Sequence, residues 1–195
     1  MGTPENFDLS FLDVELTTSD DITLHGWYVP GTGEYTLVWF HGNGGNISTR
    51  LENIASLSRN LNVNIFIFDY RGYGRSGGDP SEQGTYLDGD SAITYLRSDI
   101  GLELSKVVLL GHSLGCAVAV EMAIKYETRA LILESGFTSV AAMASRAYPF
   151  VPAISLLTKT LVRTTYDTLS KLHLVFTPSM IIHGDSDTVV PYDMG

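Results

Sequence analysis

The sequence has a single cysteine, Cys116, in 195 residues. An internal disulfide is therefore impossible, and folding makes no demand for an oxidising compartment. Cationic residues are also few: 12 Lys and Arg stand against 22 Asp and Glu, for a net charge of −10. With no basic stripe to neutralise phosphates, the chain is not expected to bind nucleic acid or to dock on anionic lipid. The acidic residues are scattered rather than blocked, which reads as ordinary solubility. No run of about 18 apolar residues occurs, so no membrane span is expected. The opening "MGTPENFDLSFLDV" has neither the basic nor the apolar region of a signal peptide. Gly2 invites a myristoylation reading, but Asn6 stands where that motif needs Ser or Thr. These absences together point to a cytoplasmic location. Internal repeats and low-complexity tracts are absent too.

What is present is a chain 44% hydrophobic, long enough for one domain with a substantial core. Short Val/Ile/Leu-rich runs alternate with helical patterns. Strands are expected over 13–18, 22–29, 35–40, 63–68, 106–110, 130–134 and 179–183. Helices are expected over 47–61, 81–98 and 114–126, with Ser81 as an N-cap. In 47–61 the apolar residues Ile47, Leu51, Ile54, Leu57 and Leu61 recur at three- and four-residue spacing. About forty residues between the last two strands mix prolines with short helical patterns, and a lid-like insertion over 138–172 is expected there. Nearly continuous apolar strands separated by helices indicate an α/β fold with a mostly parallel sheet covered on both faces. Ligands then bind at the carboxyl ends of the strands. "HGNGGN", "DYRGYGRSGG", "GHSLG", "ESGF" and "HGDSD" all fall on that rim.

Two segments match the pattern Gly-x-Ser-x-Gly: "GHSLG" (111–115) and "GRSGG" (74–78). Context separates them. A nucleophile elbow needs a strand running directly into the serine and a helix starting from it. Ser113 follows "KVVLL" and opens "LGCAVAVEMAIKY". Gly111 and Gly115 remove side chains that would collide across so sharp a turn. Ser76 stands in a loop several residues past its strand. Ser113 is therefore the expected nucleophile.

A serine hydroxyl needs a base to accept its proton and donors for the oxyanion. The elbow helix offers the N–H of Leu114 at its positive end. The glycine loop after 35–40 should offer the second, from Asn43 or its neighbour Gly44. No Lys-Ser/Thr follows those glycines, so a phosphate loop is not expected. Cys116 reads as a small core residue among alanines and valines. Trp27 and Trp39 read as core, with Trp39 in the strand that leads into the oxyanion loop. Tyr148, Pro149 and Phe150 read as part of the lid, serving packing or an acyl pocket.

Taken in order, "WFHGNGGNIS", "FDYRGYGRSGG", "GHSLGCAVAVEMA", "ESGFTS" and "IIHGDSDTVVP" resemble the alpha/beta-hydrolase superfamily over nearly the whole chain. The resemblance is strongest to its small serine hydrolases, the serine aminopeptidase-like and depalmitoylase-like group. It implies a parallel-sheet hydrolase fold and cleavage of an ester, thioester or amide through an acyl-enzyme on Ser113. It also implies a small-molecule or acyl substrate, no cofactor and no metal. The catalytic acid implied is Asp187, the aspartate of His-Gly-x-x-Asp. Asp185 is then a solvated loop carboxylate, and Asp69 a loop organiser. A metal reading of the two aspartates lacks a cluster of further ligands beside them. The family places its catalytic histidine after the acid, yet none of the residues after Asp187 is His. His41 and His183 enter two His-Gly turns and look structural. His112 adjoins Ser113 on the elbow, His25 lies in the N-terminal hairpin, and His173 precedes the last strand. The expectation is a chain cut short of its final strand and helix, inactive without the missing base, with 179–183 left as an apolar edge. The competing readings are acyl transfer to an acceptor other than water and a non-catalytic binding protein on the same fold.

Overall fold

The structure is a computed structural model and describes residues 2–147 and 165–195. Seven strands form one sheet: β1 (Leu12–Thr17), β2 (Thr23–Val29), β3 (Thr36–Phe40), β4 (Asn64–Phe68), β5 (Val107–His112), β6 (Ala130–Glu134) and β7 (Ser179–Ile182). Their spatial order is β1-β2-β4-β3-β5-β6-β7. The pairs β1/β2 and β2/β4 are antiparallel, and all later pairs are parallel. Every expected strand is present. The mostly parallel sheet is as expected, its antiparallel part being the N-terminal hairpin β1/β2 and the pairing of that hairpin with β4.

Helices α1 (Leu51–Leu61), α2 (Glu82–Ser98), α3 (Leu114–Lys125) and α4 (Val140–Ala147) connect these strands. A 3-10 turn, Ile47–Arg50, leads into α1, with Asn46 capping it through Ser48 N–H at 2.9 Å. Ser81 caps α2 as expected, accepting from Gly84 N–H. Of the apolar stripe in 47–61, Ile47, Leu51 and Ile54 are buried, whereas Leu61 is exposed at the frayed end of α1. Of the expected lid, α4 and a 3-10 turn (Leu169–Leu174) lie among the described residues. Tyr148, Pro149 and Phe150 lie outside them.

Strand alternation divides the core in two. Val38, Phe40, Phe66 and Phe68 face a cluster built with α2 and α3. Leu37, Trp39, Ile65 and Ile67 face a second cluster with Ile47, Leu51 and Ile54. The continuous apolar run in β3 thus reflects burial on both faces. After β3 the chain moves to β4 on one side, then returns through α2 to β5 on the other. The reversal places the carboxyl ends of β3 and β5 side by side, the position where open α/β sheets form a ligand crevice.

β7 departs from this pattern, since all four of its residues are exposed. Met180, Ile181 and Ile182 present an apolar surface at the sheet edge, with Phe176 nearby at 93% exposure. Such an edge is a template for pairing with another chain. We expect light scattering to show concentration-dependent association of this 195-residue chain, reduced in Ile181→Lys. A monodisperse parent at high concentration would contradict this.

The glycines of the elbow are held to tight tolerances. A Cβ at Gly115 would lie 1.9 Å from Phe40 O, and one at Gly111 would lie 2.6 Å from the Cys116 Cα. Both obstacles are backbone, so neither can swing aside. Gly115→Ala is expected to destabilise the fold by about 3 kcal/mol or more. Gly44→Ala, where a Cβ meets nothing within 4 Å, should leave the melting temperature nearly unchanged.

Candidate functional site

Ser113 occupies the single-residue turn between β5 and α3, at φ 53° and ψ −116°. A positive φ is costly for a residue with a Cβ and persists only where the surroundings enforce it. Here α3 starts one residue after a strand of six, and the chain must reverse within that residue. The Ser113 N–H donates to Glu134 O at 2.9 Å, and Cys116 N–H donates to Ser113 O at 3.0 Å. Leu114, the first residue of α3, is buried, and the first N–H groups of a helix have no acceptor within it. The elbow thus stands at the positive end of α3.

The glycine loop after β3 lies against this turn. A Cβ at Gly42 would be 3.2 Å from the Ser113 Cβ and 3.0 Å from His112 Nδ1. A Cβ there would require its neighbours to give by a few tenths of an ångström. Asn43 and Gly44 follow on the exposed side. The Asn43 side chain accepts from the Tyr73 hydroxyl, and Arg50 Nη2 donates to Gly44 O at 2.6 Å. Asp69 Oδ1 accepts from Ile47 N–H at 2.9 Å, which ties the far end of the loop to the end of β4. Tyr73 went unnoticed in the sequence because nothing local marks a side chain that braces a distant loop, and Arg50 went unnoticed although it braces its own loop only six residues back. Asp69 does organise the loop.

Ser76, the serine of the rival motif, is used up in structure. Its hydroxyl donates to Asp69 O at 2.6 Å and accepts from His25 N–H at 2.9 Å. Cys116 is buried, donates to Gly111 O at 3.2 Å, and has its thiol pushed up to about 12 by burial. Trp27 and Trp39 are both core residues.

Asp187 stands in the loop after β7. Its Oδ1 accepts from Val190 N–H at 2.9 Å and Val189 N–H at 2.8 Å. Those two bonds, with smaller help from the Ser135 hydroxyl and the His183 ring, hold the carboxyl below the usual aspartate range. Asp185 is exposed and accepts only from the adjacent Ser186 hydroxyl at 3.0 Å. Ser135, whose N–H donates to Ile182 O at 2.9 Å, was not singled out by sequence. Its sole signal was its place in "ESGF", on the same rim as the other loops.

Each histidine has a distinct environment. His41 is fully buried, with Nδ1–H donating to Gly42 O at 2.8 Å. His25 Nε2 lies 2.6 Å from Asp13 Oδ1. His183 Nε2–H donates to Val190 O at 2.8 Å, and the same nitrogen is 3.7 Å from Asp187 Oδ2. His173 is exposed in the 3-10 turn before β7. His112 is half-buried at the end of β5, and burial lowers its pKa. No hydrogen bond joins Ser113 Oγ to any of them among the described residues. A mostly apolar cavity of about 360 Å³ lies beyond Cys116, lined by Leu133, Phe137, Leu172 and Ile181, and Ser113 is not on its wall.

Residues 24–191 match the model of the alpha/beta hydrolase family. The chain belongs to that family. Among curated relatives it is 34% identical over 195 residues to protein bem46 of Schizosaccharomyces pombe, covering 97% of this chain and 64% of that protein. It is 37% identical over 183 residues to an uncharacterized protein of Mycobacterium tuberculosis, covering 92% of this chain and 63% of the relative. The chain thus spans a little under two thirds of the length of these relatives. In structure it resembles the Pyrococcus furiosus esterase Pf2001, with a TM-score of 0.80 and 21% identity over 100% of this chain and 78% of that one. Among the described residues no helix is long and apolar enough to cross a membrane.

The buried His41 generates a pH dependence. Desolvation lowers its pKa from 6.5 to about 4. As pH falls through that window the unfolded chain takes up a proton that the folded chain refuses, so stability is full above it and is lost on the way down. The loss is about 3 kcal/mol over the window. His41→Gln should therefore show a melting temperature that falls less steeply from neutral pH to about pH 4 than that of the parent. Parallel curves would contradict the assignment.

Proposed function

We propose that this chain carries the nucleophile and the acid of a serine hydrolase that cleaves an ester, thioester or amide through an acyl-enzyme. The observation that carries the reading is Ser113 at positive φ between β5 and α3, with the glycine loop against it at the switch point of the sheet. A strained polar residue at the mouth of a ligand crevice has no packing purpose that a glycine would not serve better.

In this reading Ser113 Oγ bonds to the substrate carbonyl carbon as its proton passes to a base. The N–H groups of Leu114 and of Asn43 or Gly44 hold the carbonyl oxygen as it becomes negative. Preorganised donors of this kind contribute about 3 kcal/mol or more each to lowering the barrier. The carbonyl–leaving-group bond then breaks, and the leaving group takes the proton back. Water repeats the sequence in the second half, releasing the acid and freeing Ser113. Asp187 orients the base and stabilises it when protonated. The base is a histidine from the part of the relatives' length that these residues do not span, since none of the five here is joined to Ser113.

A fluorophosphonate probe tests the reading. In a protein extended to the relatives' full length, the probe should label Ser113, and Ser113→Ala should abolish the adduct. An unlabelled, folded full-length protein would contradict it. The present chain, lacking the base, should turn over substrate weakly, keeping only the roughly 10³–10⁴-fold over water that binding and the oxyanion donors supply.

A further inference from the structure

The loop after β3 reads His-Gly-Asn-Gly-Gly over 41–45, so within 42–45 only Asn43 carries a side chain. A stretch so rich in glycine has wide backbone freedom, and a peptide group in it keeps one direction only if its neighbours hold it. The peptide between Gly42 and Asn43 is held at both ends. At one end Gly42 O accepts from His41 Nδ1–H at 2.8 Å, and His41 is fully buried. The peptide is trans, so its N–H, that of Asn43, points opposite to its carbonyl and away from the buried ring. That N–H has no acceptor among the described residues. At the other end the Asn43 side chain accepts from the Tyr73 hydroxyl. Tyr73 also packs edge-on against the His41 ring, with centroids 5.7 Å apart, and against Tyr70, with centroids 6.0 Å apart. Tyr70 in turn donates from its hydroxyl to His41 O at 3.1 Å and lays its ring 4.6 Å from that of His41.

We propose that Tyr73 is a positioning residue, which holds the Gly42–Asn43 peptide so that the Asn43 N–H, rather than that of Gly44, is the oxyanion donor of this loop. This deepens the serine-hydrolase reading and rests on it. Gly42 lies against Ser113, so a swing of this peptide would move its N–H relative to the nucleophile. His41 holds the carbonyl of the peptide from inside the core, and the Asn43 side chain is the one handle the sequence offers on the outer side. Tyr73, from the loop after β4, touches both the His41 ring and that handle, and so ties the two ends together. Burial raises the pKa of its hydroxyl above the ordinary tyrosine value, so it remains a donor at neutral pH.

The test uses Tyr73→Phe, which removes the hydroxyl and keeps the ring, and Asn43→Ala, which removes the handle and keeps the N–H. In the full-length protein, with p-nitrophenyl butyrate as the probe, each should lower kcat by roughly 10- to 100-fold while KM and the melting temperature stay close to the parent's. The double variant should lose no more than either single one, because both remove the same contact. Losses that multiply in the double variant would overturn the proposal, and so would a parent-like kcat in both single variants. A lowered melting temperature in both would make Tyr73 a folding residue and overturn it equally. In the present chain, nitrogen-15 relaxation of the Asn43 amide should give a lower order parameter in Tyr73→Phe than in the parent. An unchanged order parameter would also overturn the proposal. Failure of the hydrolase reading is read separately, from a full-length parent that shows neither turnover nor fluorophosphonate labelling. That outcome removes the oxyanion role, while a Tyr73-dependent order parameter would leave the hold on the loop standing.

Discussion

The close approach of α3 to the end of β3 is the contact on which the rest of the site depends. Gly115 passes so near Phe40 O that no side chain fits between them. This forces α3 to begin directly at the end of β5, leaves one residue for the reversal, and puts that residue, Ser113, at positive φ. The glycine loop after β3 inherits the same crowding, since Gly42 must clear Ser113 and His112. Backbone strain at one serine is thus maintained by packing distributed over three elements. A buried apolar sheet can hold it because close-packed interiors transmit displacement rather than absorb it.

Around this constraint the polar residues divide into those that hold loops and those that remain available. Asp69, Ser76, Tyr73 and Arg50 hold the loops after β3 and β4. Arg71 is buried between Asp88 of α2 and Asp20 of the N-terminal hairpin, bonded to both. A buried cation satisfied on every side fixes the start of the β4 loop, and removing one partner would leave an uncompensated charge. Ser113 is left at the carboxyl end of β5, at the start of α3. Loops carry the polar groups while the sheet holds them in place, the usual division of labour in α/β folds.

The exposed β7 contrasts with the rest of the sheet. Its sequence, Ser-Met-Ile-Ile, reads like that of the buried strands, yet all four side chains are open to solvent. Asp187 follows from this strand, so the proposed acid stands on the most exposed strand of the sheet. The bonds across the ends of β5, β6 and β7, through Glu134, Ser135 and Ile182, tie it to the well-packed centre.

Much of this was legible in the linear sequence, for definable reasons. All seven strands and the first three helices could be read because burial on one or both faces imposes a period on the apolar residues. Ser113 could be told from Ser76 because an elbow is a local event, with strand, turn and helix contiguous in the chain. The loop-holding role of Asp69 and the core places of Cys116, Trp27 and Trp39 also followed from sequence. The role of Tyr73 could not be read, because it acts across the rim on a loop distant in sequence. The N-terminal hairpin and the apolar edge at β7 were legible as well, whereas the antiparallel pairing of β2 with β4 was not. Sequence by itself determined which segments are strands and helices, and which serine sits on an elbow, because those follow from local geometry and periodicity. Which loops meet, and which side chains hold them together, only the tertiary structure decided, because those contacts depend on the order in which the strands lie side by side.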